Sequence, residues 1–470
     1  MMIALVLGMW GTISCGLMAQ ESPAPAFTKL APRPPMGWNS YDAYHAAITE
    51  KQFCRCVDWL ATNLLPYGYD YAVVDFFWFT PGPADWNPDQ WKTFEIHQKP
   101  GADGKLQPEF AMDEYGRLVP ATNRFPSAAN GQGFKPLADY VHSKGMKFGI
   151  HIMRGLPLQA VREKKPILGT SLTCADIVDM QSDSFVRGTF YGVDARKPGA
   201  KEYYDSLFKL YAQWGVDFIK ADDMMSPAYH GGEIELMRQA IDRCGRPMVL
   251  SLSFGEPPMA MAWNLQTNAN MWRVSGDCWD RWPDLLRAFD LANAWSPFIG
   301  RGTWPDLDMI PIGRLALSGY PGGSKKLEHD SHLTPPEQYA LMTLWCMARS
   351  PLMWGGDPLT SLPGSVDLLR NPEVLAVDQN SANNRQIAYR NNTRVWVADI
   401  PGSTDKYFAL FNLTDQETDV SFNFHAENLD GRYRVRDLWQ RQDAGEFGKN
   451  FARKLPPHGA GLFRLSGVKP

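Results

Sequence analysis

The sequence predicts an α/β fold in which a (β/α)8 TIM barrel is followed by a C-terminal antiparallel β-sandwich domain. Short β-rich runs alternate with segments of helical spacing over about 300 residues, which is typical of a parallel α/β fold. Four of these runs close on a polar side chain, at Asp75, His151, Asp222 and Asp277, as expected where chemistry occupies the C-terminal face of a barrel. After about residue 385 the chain changes to short alternating strands without helical segments, which is typical of a sandwich.

The strands of the barrel are predicted from runs that are apolar on both faces, as in strands covered on both sides. Between two of them, Phe134, Leu137 and Val141 recur at helical spacing before Gly145, which predicts a helix. No GxGxxG motif opens a helix after the first strand, so a barrel is favoured over an open, doubly wound dinucleotide-binding sheet. The predicted strand runs are 71–79, 145–153, 214–222, 246–254, 270–277 and 295–302.

The domain boundaries follow from changes in composition. We assign residues 1–19 to a signal peptide, 30–384 to the barrel and 385–470 to the β-domain. Within the barrel, segment 80–132 is rich in Pro, Gly, Asn and Asp, which predicts a long insertion that roofs the cleft.

The N-terminus predicts export from the cytoplasm. An uncharged apolar run ends near Ala19 and is followed by a polar, Pro-containing stretch, which is typical of a secretory signal peptide. Cys15 leaves a lipoprotein anchor as an alternative, although the leucine usually found three residues earlier is absent. No later stretch reaches the roughly 18 to 20 apolar residues of a spanning helix, so we expect a secreted or periplasmic protein with no membrane contact beyond its signal peptide.

Composition and charge limit the classes of partner. The 470 residues are 44% hydrophobic and 21% charged, with a net charge of −4, so the chain has no basic field for nucleic acid. Its seven cysteines and nine histidines form neither a CxxC pair nor an HExxH motif. We therefore expect no metal and no cofactor, and a neutral or small substrate.

The run that ends in Lys220, Asp222 and Asp223 predicts catalysis by carboxylates. Residues i and i+2 of a strand share a face, so Lys220 and Asp222 point together at the barrel axis and Asp223 faces away. A nearby ammonium keeps a carboxylate ionised, as a nucleophile requires. Asp277 follows Arg273 on a later strand, and two carboxylates across a barrel mouth are the machinery of glycoside hydrolysis. The alternative is that both carboxylates only pair with Lys220 and Arg273.

Seven motifs, in order, resemble those of glycoside hydrolase family 27, the α-galactosidase and α-N-acetylgalactosaminidase family. The resemblance runs from about residue 33 to the end of the chain. It implies a (β/α)8 barrel and a retaining, double-displacement mechanism without a metal. It also implies that Asp222, in a K-x-D motif, is the nucleophile, that Asp277, in W-R-x-S-x-D, is the acid/base, and that Arg273 helps to hold the sugar. The motifs are PPMGWNSY (34–41), GYDYAVVDFFW (68–78), RFPSAANGQGFKPLADYVHSKGMKFGIH (124–151), WGVDFIKADD (214–223), MWRVSGDCW (271–279), GTWPDLDMI (302–310) and SPLMWGGD (350–357).

The sugar-recognition residues depart from the family pattern. The resemblance implies two adjacent aspartates that bind the galactose hydroxyls at carbons 4 and 6, but here the pair is Asp75 and Phe76. Phenylalanine accepts no hydrogen bond. Tyr41 stands where a stacking tryptophan is usual, and His151 where a tyrosine is usual.

Other positions complete the expected site. Glu256, in the loop after the fifth strand, is expected to contact the 2-hydroxyl of the sugar, and Trp38 and Lys220 complete the predicted sugar-binding set. Met224 replaces a cysteine that the family usually holds in a disulfide, so Cys174 is expected to lack its family partner.

These observations lead us to expect an exported, retaining exo-α-glycosidase of the α-galactosidase type. It would hydrolyse a terminal sugar of a carbohydrate substrate through a covalent glycosyl-aspartate. Two alternatives stay open: the same chemistry on a β-L-arabinopyranoside or an α-glucoside such as an isomaltoside, and a non-catalytic sugar-binding protein on the same barrel.

Overall fold

A single curled sheet of eight parallel strands forms the centre of the computed structural model, which describes residues 25–81, 98–100, 104–225, 227–300, 302–317 and 327–468. The strands lie in the order β7-β6-β5-β4-β3-β2-β1-β8, and a parallel bridge between Ile310, just after β7, and Trp354 of β8 joins the two ends. The predicted barrel is therefore confirmed. Its strands are β1 (Met36–Asn39), β2 (Tyr71–Val74), β3 (Lys147–Met153), β4 (Phe218–Asp222), β5 (Val249–Leu252), β6 (Met271–Arg273), β7 (Trp304–Asp306) and β8 (Leu352–Trp354).

One principal helix follows each strand. Local signals set several of their ends: capping boxes at Thr49 and Thr334 begin α1 and α7, and Gly215, in the left-handed region, ends α3. The predicted helix before Gly145 is confirmed as α2. The helices are α1 (Glu50–Asn63), α2 (Lys135–Ser143), α3 (Ala200–Trp214), α4 (Gly231–Arg243), α5 (Ala262–Asn268), α6 (Trp282–Trp295), α7 (Pro335–Ala348) and α8 (Pro372–Asn380).

The strand predicted over 295–302 is wrong. Ser296–Phe298 is a short 3-10 helix, and the seventh barrel strand begins later, at Trp304. Pro297 suits the first turn of a helix, and the positive φ angles of Gly300 and Gly302, 109° and 81°, turn the chain where a strand would run straight.

The C-terminal region is an antiparallel β-domain, as predicted. Six strands pair in the order β9-β10-β11-β16-β13-β14, and β12 pairs with β15 as a separate ribbon. Apolar side chains from both layers, including Phe408, Phe422 and Phe463, form its own core. The strands are β9 (Ala382–Arg390), β10 (Thr393–Asp399), β11 (Lys406–Asn412), β12 (Thr418–Asn423), β13 (Tyr433–Asp437), β14 (Gln442–Phe447), β15 (Asn450–Leu455) and β16 (Ala460–Gly467).

Some predicted features fall outside the described residues. The signal peptide, with Cys15 and Ala19, lies there, as does part of the insertion 80–132. Among the residues that are described, no helix combines the length and apolar character needed to cross a membrane. The six cysteines in this part of the chain, Cys174 among them, are all free thiols.

Candidate active site

A cavity of about 250 Å³ opens at the carboxyl ends of the barrel strands. It is smaller than the roughly 300–1,000 Å³ pockets that hold drug-sized ligands, so its size suits one small ring. Its walls come from the strand ends and the loops that follow them, as in other barrels with this topology. The lining residues are Tyr41, Asp42, Asp75, Phe76, Phe185, Lys220, Asp222, Ser253, Phe254, Arg273, Asp277, Cys278, Trp279, Asp308 and Met309.

Asp222, the last residue of β4, is held by two hydrogen bonds. His151 lies beside it on β3, and its Nε2 is 2.9 Å from Oδ2, while the backbone N–H of Asp223 donates to Oδ1 at 2.8 Å. Burial alone would raise the pKa of Asp222, but the hydrogen bond from His151 and the charges of His151 and Lys220 lower it. The carboxylate is therefore ionised and fixed in orientation, as a nucleophile requires.

Lys220 pairs with a different carboxylate from the one the sequence suggested. Its Nζ lies 2.9 Å from Oδ2 of Asp75, the residue that directly follows β2. Lys220 acts on Asp222 through its charge. Asn39 donates to the same oxygen of Asp75 at 2.7 Å. Burial opposes ionisation of Asp75, but the charges of Lys220 and His151 lower its pKa to about 2. Asp75 is thus a charged acceptor in the cavity wall.

Asp277 lines the same cavity from the loop after β6. Its Oδ1 is 3.2 Å from Nη2 of Arg273, and Nη1 of the same guanidinium is 2.7 Å from Oδ1 of Asp308. Asp277 is 41% exposed, whereas Arg273 is 4% exposed. Burial raises the pKa of Asp308. The charge of Arg273 lowers it, while the carboxylates of Asp277 and Asp306 raise it further. Asp277 is therefore more open to water than Asp308.

Asp223 supports the end of β4 from behind, as predicted. It adopts a left-handed backbone conformation with φ of 65°, and its Oδ2 is 2.8 Å from Nη2 of Arg154. Arg154 also pairs with Glu233 at 3.0 Å. Both Arg154 and Asp223 are almost fully buried, and burial raises the pKa of Asp223 to about 7 despite the charge of Arg154. This network fixes the peptide whose N–H holds the Asp222 carboxylate.

Phe76 makes one corner of the cavity apolar. Its side chain is 3% exposed, stacks on Phe77 with ring centroids 3.7 Å apart and meets His151 edge-on at 5.1 Å. Tyr41 and Phe185 complete this aromatic corner, with centroids 6.4 and 6.1 Å from Phe76. The corner lies directly beside the charged Asp75.

The structure brings most of the predicted residues together but leaves three outside the cavity wall. His151 acts from behind, through Asp222. Trp38 is fully buried, and its indole N–H donates to the carbonyl of Gly356 at 2.8 Å. Glu256 is 40% exposed and pairs with Arg287 on α6. The predicted residues that line the cavity are Tyr41, Asp75, Phe76, Lys220, Asp222, Arg273 and Asp277.

Eight further lining residues were not predicted. Asp308 and Met309 belong to the motif GTWPDLDMI, and Cys278 and Trp279 directly follow Asp277, so the sequence did carry a signal for these four. Phe185 comes from an excursion between β3 and β4 that has no motif. The others are Asp42, Ser253 and Phe254.

Comparisons with known proteins identify the family and the fold of both domains. Residues 189–380 match the family model described as alpha galactosidase A, and residues 390–465 match the alpha galactosidase C-terminal beta sandwich domain. A crystal structure of a family 27 β-L-arabinopyranosidase from Geobacillus stearothermophilus, in complex with arabinose, is 42% identical with a TM-score of 0.87, covering 95% of this chain and 100% of that chain.

Curated relatives are more distant in sequence. An α-galactosidase from Oryza sativa subsp. japonica is 26% identical over 93% of this chain and 85% of its own. An α-galactosidase A from Cellvibrio japonicus is 24% identical over 98% of both chains.

Proposed function

The chain belongs to glycoside hydrolase family 27, and from this premise we propose that it is a retaining exo-glycosidase specific for terminal β-L-arabinopyranosides. The observation that carries the choice of sugar is Phe76 in the cavity wall beside Asp75. β-L-Arabinopyranose has the ring and the hydroxyl configuration of α-D-galactopyranose but lacks its hydroxymethyl group.

Phe76 disfavours that hydroxymethyl group for a physical reason. The resemblance implies that the Asp75–Phe76 pair faces the 4- and 6-hydroxyls of galactose, and we propose that Asp75 binds the 4-hydroxyl while Phe76 faces the 6-hydroxyl. A phenyl ring accepts no hydrogen bond. A hydroxyl buried against it without a partner costs about 1–3 kcal/mol. A sugar that has only a ring methylene at this point meets the apolar corner without that cost. The arabinose complex of the Geobacillus relative supports the same choice.

The two carboxylates take the roles of nucleophile and acid/base. Asp222 attacks the anomeric carbon and forms a glycosyl ester as Asp277 donates its proton to the leaving oxygen. Asp277 then removes a proton from water, which attacks the anomeric carbon and releases Asp222 as a carboxylate. The fixed orientation of Asp222 and the exposure of Asp277 support this division of labour.

A panel of nitrophenyl glycosides tests the proposal. We expect kcat/KM for the β-L-arabinopyranoside to exceed that for the α-D-galactoside by about tenfold or more, with Asp222→Asn inactive on both. Proton NMR of the first product should show the same anomer as the substrate. Inversion would contradict the retaining mechanism.

An α-galactosidase is the second candidate, favoured by the retained Asp75 and by the curated relatives. Preference for the α-galactoside in the same panel would select it. Hydrolysis of an α-glucoside alone would reject both sugars, and binding without turnover of any glycoside would indicate a sugar-binding protein.

We also propose that the protein is exported. The apolar N-terminal run supports cleavage near Ala19. Mass spectrometry of the mature protein from the native cell envelope or medium should find an N-terminus close to this residue. A cytoplasmic protein that retains Met1 would contradict export.

A further inference from the structure

A cluster of one carboxylate and two imidazoles lies beside the cavity, outside the residues used above. Asp280 follows Trp279, a lining residue, and reaches a second segment that carries His329 and His332. Oδ2 of Asp280 is 3.1 Å from Nε2 of His329 and 3.0 Å from Nδ1 of His332. The backbone N–H of His332 also donates to this oxygen, at 2.7 Å. Two segments that are remote in sequence therefore meet at one carboxylate oxygen.

The hydrogen bond on the far side of His329 decides which of its nitrogens is free to act as a ligand. Nδ1 lies 2.5 Å from the backbone carbonyl oxygen of Leu327. A carbonyl only accepts, so Nδ1 carries the proton. In the neutral ring Nε2 then presents a lone pair to the Asp280 carboxylate, which also only accepts. A proton on Nε2 or a metal ion must therefore lie between the imidazole and the carboxylate. An Nδ1–H bonded to a backbone carbonyl is how proteins usually orient a metal-binding histidine.

The separations between these atoms suit a transition-metal ion. Ligands bound at about 2.0–2.2 Å and at angles between right-angled and tetrahedral lie about 2.8 to 3.6 Å apart. The two separations from Asp280 Oδ2 fall in that range, and all three ligand atoms lie within 4.8 Å of one another. Imidazole and carboxylate ligands suit Zn²⁺ and the other divalent ions late in the first transition series.

The surroundings leave the cluster open on one side. Asp280 is 8% exposed and His329 29% exposed, whereas His332 is 68% exposed. The rings of the two histidines stack 4.2 Å apart, and the exposed ring can tilt towards an ion without displacing a packed neighbour. The nearby positive charge of Arg314 is offset by its ion pairs with Glu328 and Asp330.

We propose that Asp280, His329 and His332 form a binding site for one Zn²⁺-class divalent ion that ties the segment after the cavity residue Trp279 to the segment that carries the two histidines. Its remaining coordination positions face water, as in sites with three protein ligands. No metal was expected from the sequence because its cysteines and histidines form no CxxC pair and no HExxH motif. Asp280 lies 49 residues from His329 and 52 from His332 along the chain.

Zinc titration of the full chain, without an affinity tag and after chelator treatment, tests the site. At neutral pH we expect calorimetry to show one equivalent of Zn²⁺ bound and the melting temperature to rise with Zn²⁺. His332→Ala, at an exposed position where folding is preserved, should weaken binding at least about tenfold, and Asp280→Asn should do the same. His425→Ala is the matched control, because His425 is also exposed and lies 3.9 Å from a carboxylate of Asp430.

Two results would overturn the site. One is the absence of Zn²⁺ uptake by the wild-type chain, which would mean that the cation between Asp280 and His329 is only a proton. The other is uptake that His332→Ala leaves unchanged, which would place the ion elsewhere. Co²⁺ offers a second readout, since its visible spectrum should show nitrogen and oxygen ligation in the wild type and change in His332→Ala.

Discussion

Replacing Phe76 with aspartate should shift the preferred sugar from arabinopyranoside towards galactoside. The ring lines the cavity and is 3% exposed, so a hydroxymethyl group placed against it loses its water and gains no acceptor. That loss is worth about 1–3 kcal/mol, which corresponds to about 5- to 160-fold in kcat/KM. In Phe76→Asp the new carboxylate can accept a hydrogen bond from the 6-hydroxyl of the galactoside. The ratio of kcat/KM for α-galactoside to that for β-L-arabinopyranoside should therefore rise by a factor in this range.

The assay compares both nitrophenyl glycosides across three proteins: wild type, Phe76→Asp and Phe76→Ala. The alanine variant opens the same space but supplies no acceptor, so it separates volume from hydrogen bonding. Removal of a buried phenylalanine costs up to about 3–5 kcal/mol of stability, and melting curves must show that each variant is folded at the assay temperature. An unchanged ratio in Phe76→Asp, or an equal gain in Phe76→Ala, would refute the assignment of this corner to the hydroxymethyl group.

Three further predictions concern the charges behind the cavity. Arg154→Met should lower the free energy of unfolding by about 3–5 kcal/mol in urea titrations, because it leaves Asp223 buried without its ion pair; a loss below about 1 kcal/mol would contradict this. Lys220→Met should destabilise the protein more at about pH 7 than at about pH 4, because the pKa of Asp75 is about 2 with Lys220 present but is raised by burial without it. In the wild type the Asp75 carboxylate therefore contributes stability above its ordinary pKa, and this contribution is lost as pH falls towards 2. In the variant the same carboxylate instead lowers stability as pH rises. A difference in melting temperature between the two proteins that stays the same from about pH 4 to about pH 7 would refute the pairing. His151→Phe should reduce kcat by about 10- to 160-fold with little change in KM, since a hydrogen bond to a charged group is worth about 1.5–3 kcal/mol. His151→Gln can still donate a hydrogen bond and should retain more activity in steady-state assays. Equal losses of kcat in the two variants would show that the imidazole ring only fills space.

Features that depend on local periodicity and short motifs were predictable from the sequence. The alternation of apolar runs and helical segments predicted the barrel, because each strand and helix must bury its own apolar face. The period of two along a strand placed Lys220 and Asp222 on one face and Asp223 on the other. The motif around Asp277 predicted the second carboxylate, which lies in the same cavity as the first.

Pairings between residues that are distant along the chain could not be predicted from local patterns. Lys220 pairs with Asp75, 145 residues away, rather than with its neighbour on the strand, and Asp222 receives its hydrogen bond from His151 on the adjacent strand. The cluster that begins at Asp280 likewise joins two segments that are remote in sequence.

Local patterns along the chain were enough to predict the fold class, the order of the elements and the carboxylates at the strand ends. Tertiary structure decided which cation meets which carboxylate, that Trp38 and Glu256 lie outside the cavity wall, and that Phe76 lies within it. This is because the burial pattern of a strand or helix depends on residues that are close together in the sequence. Hydrogen bonds and ion pairs in the site depend instead on how strands and loops that are far apart in the sequence pack around the barrel axis.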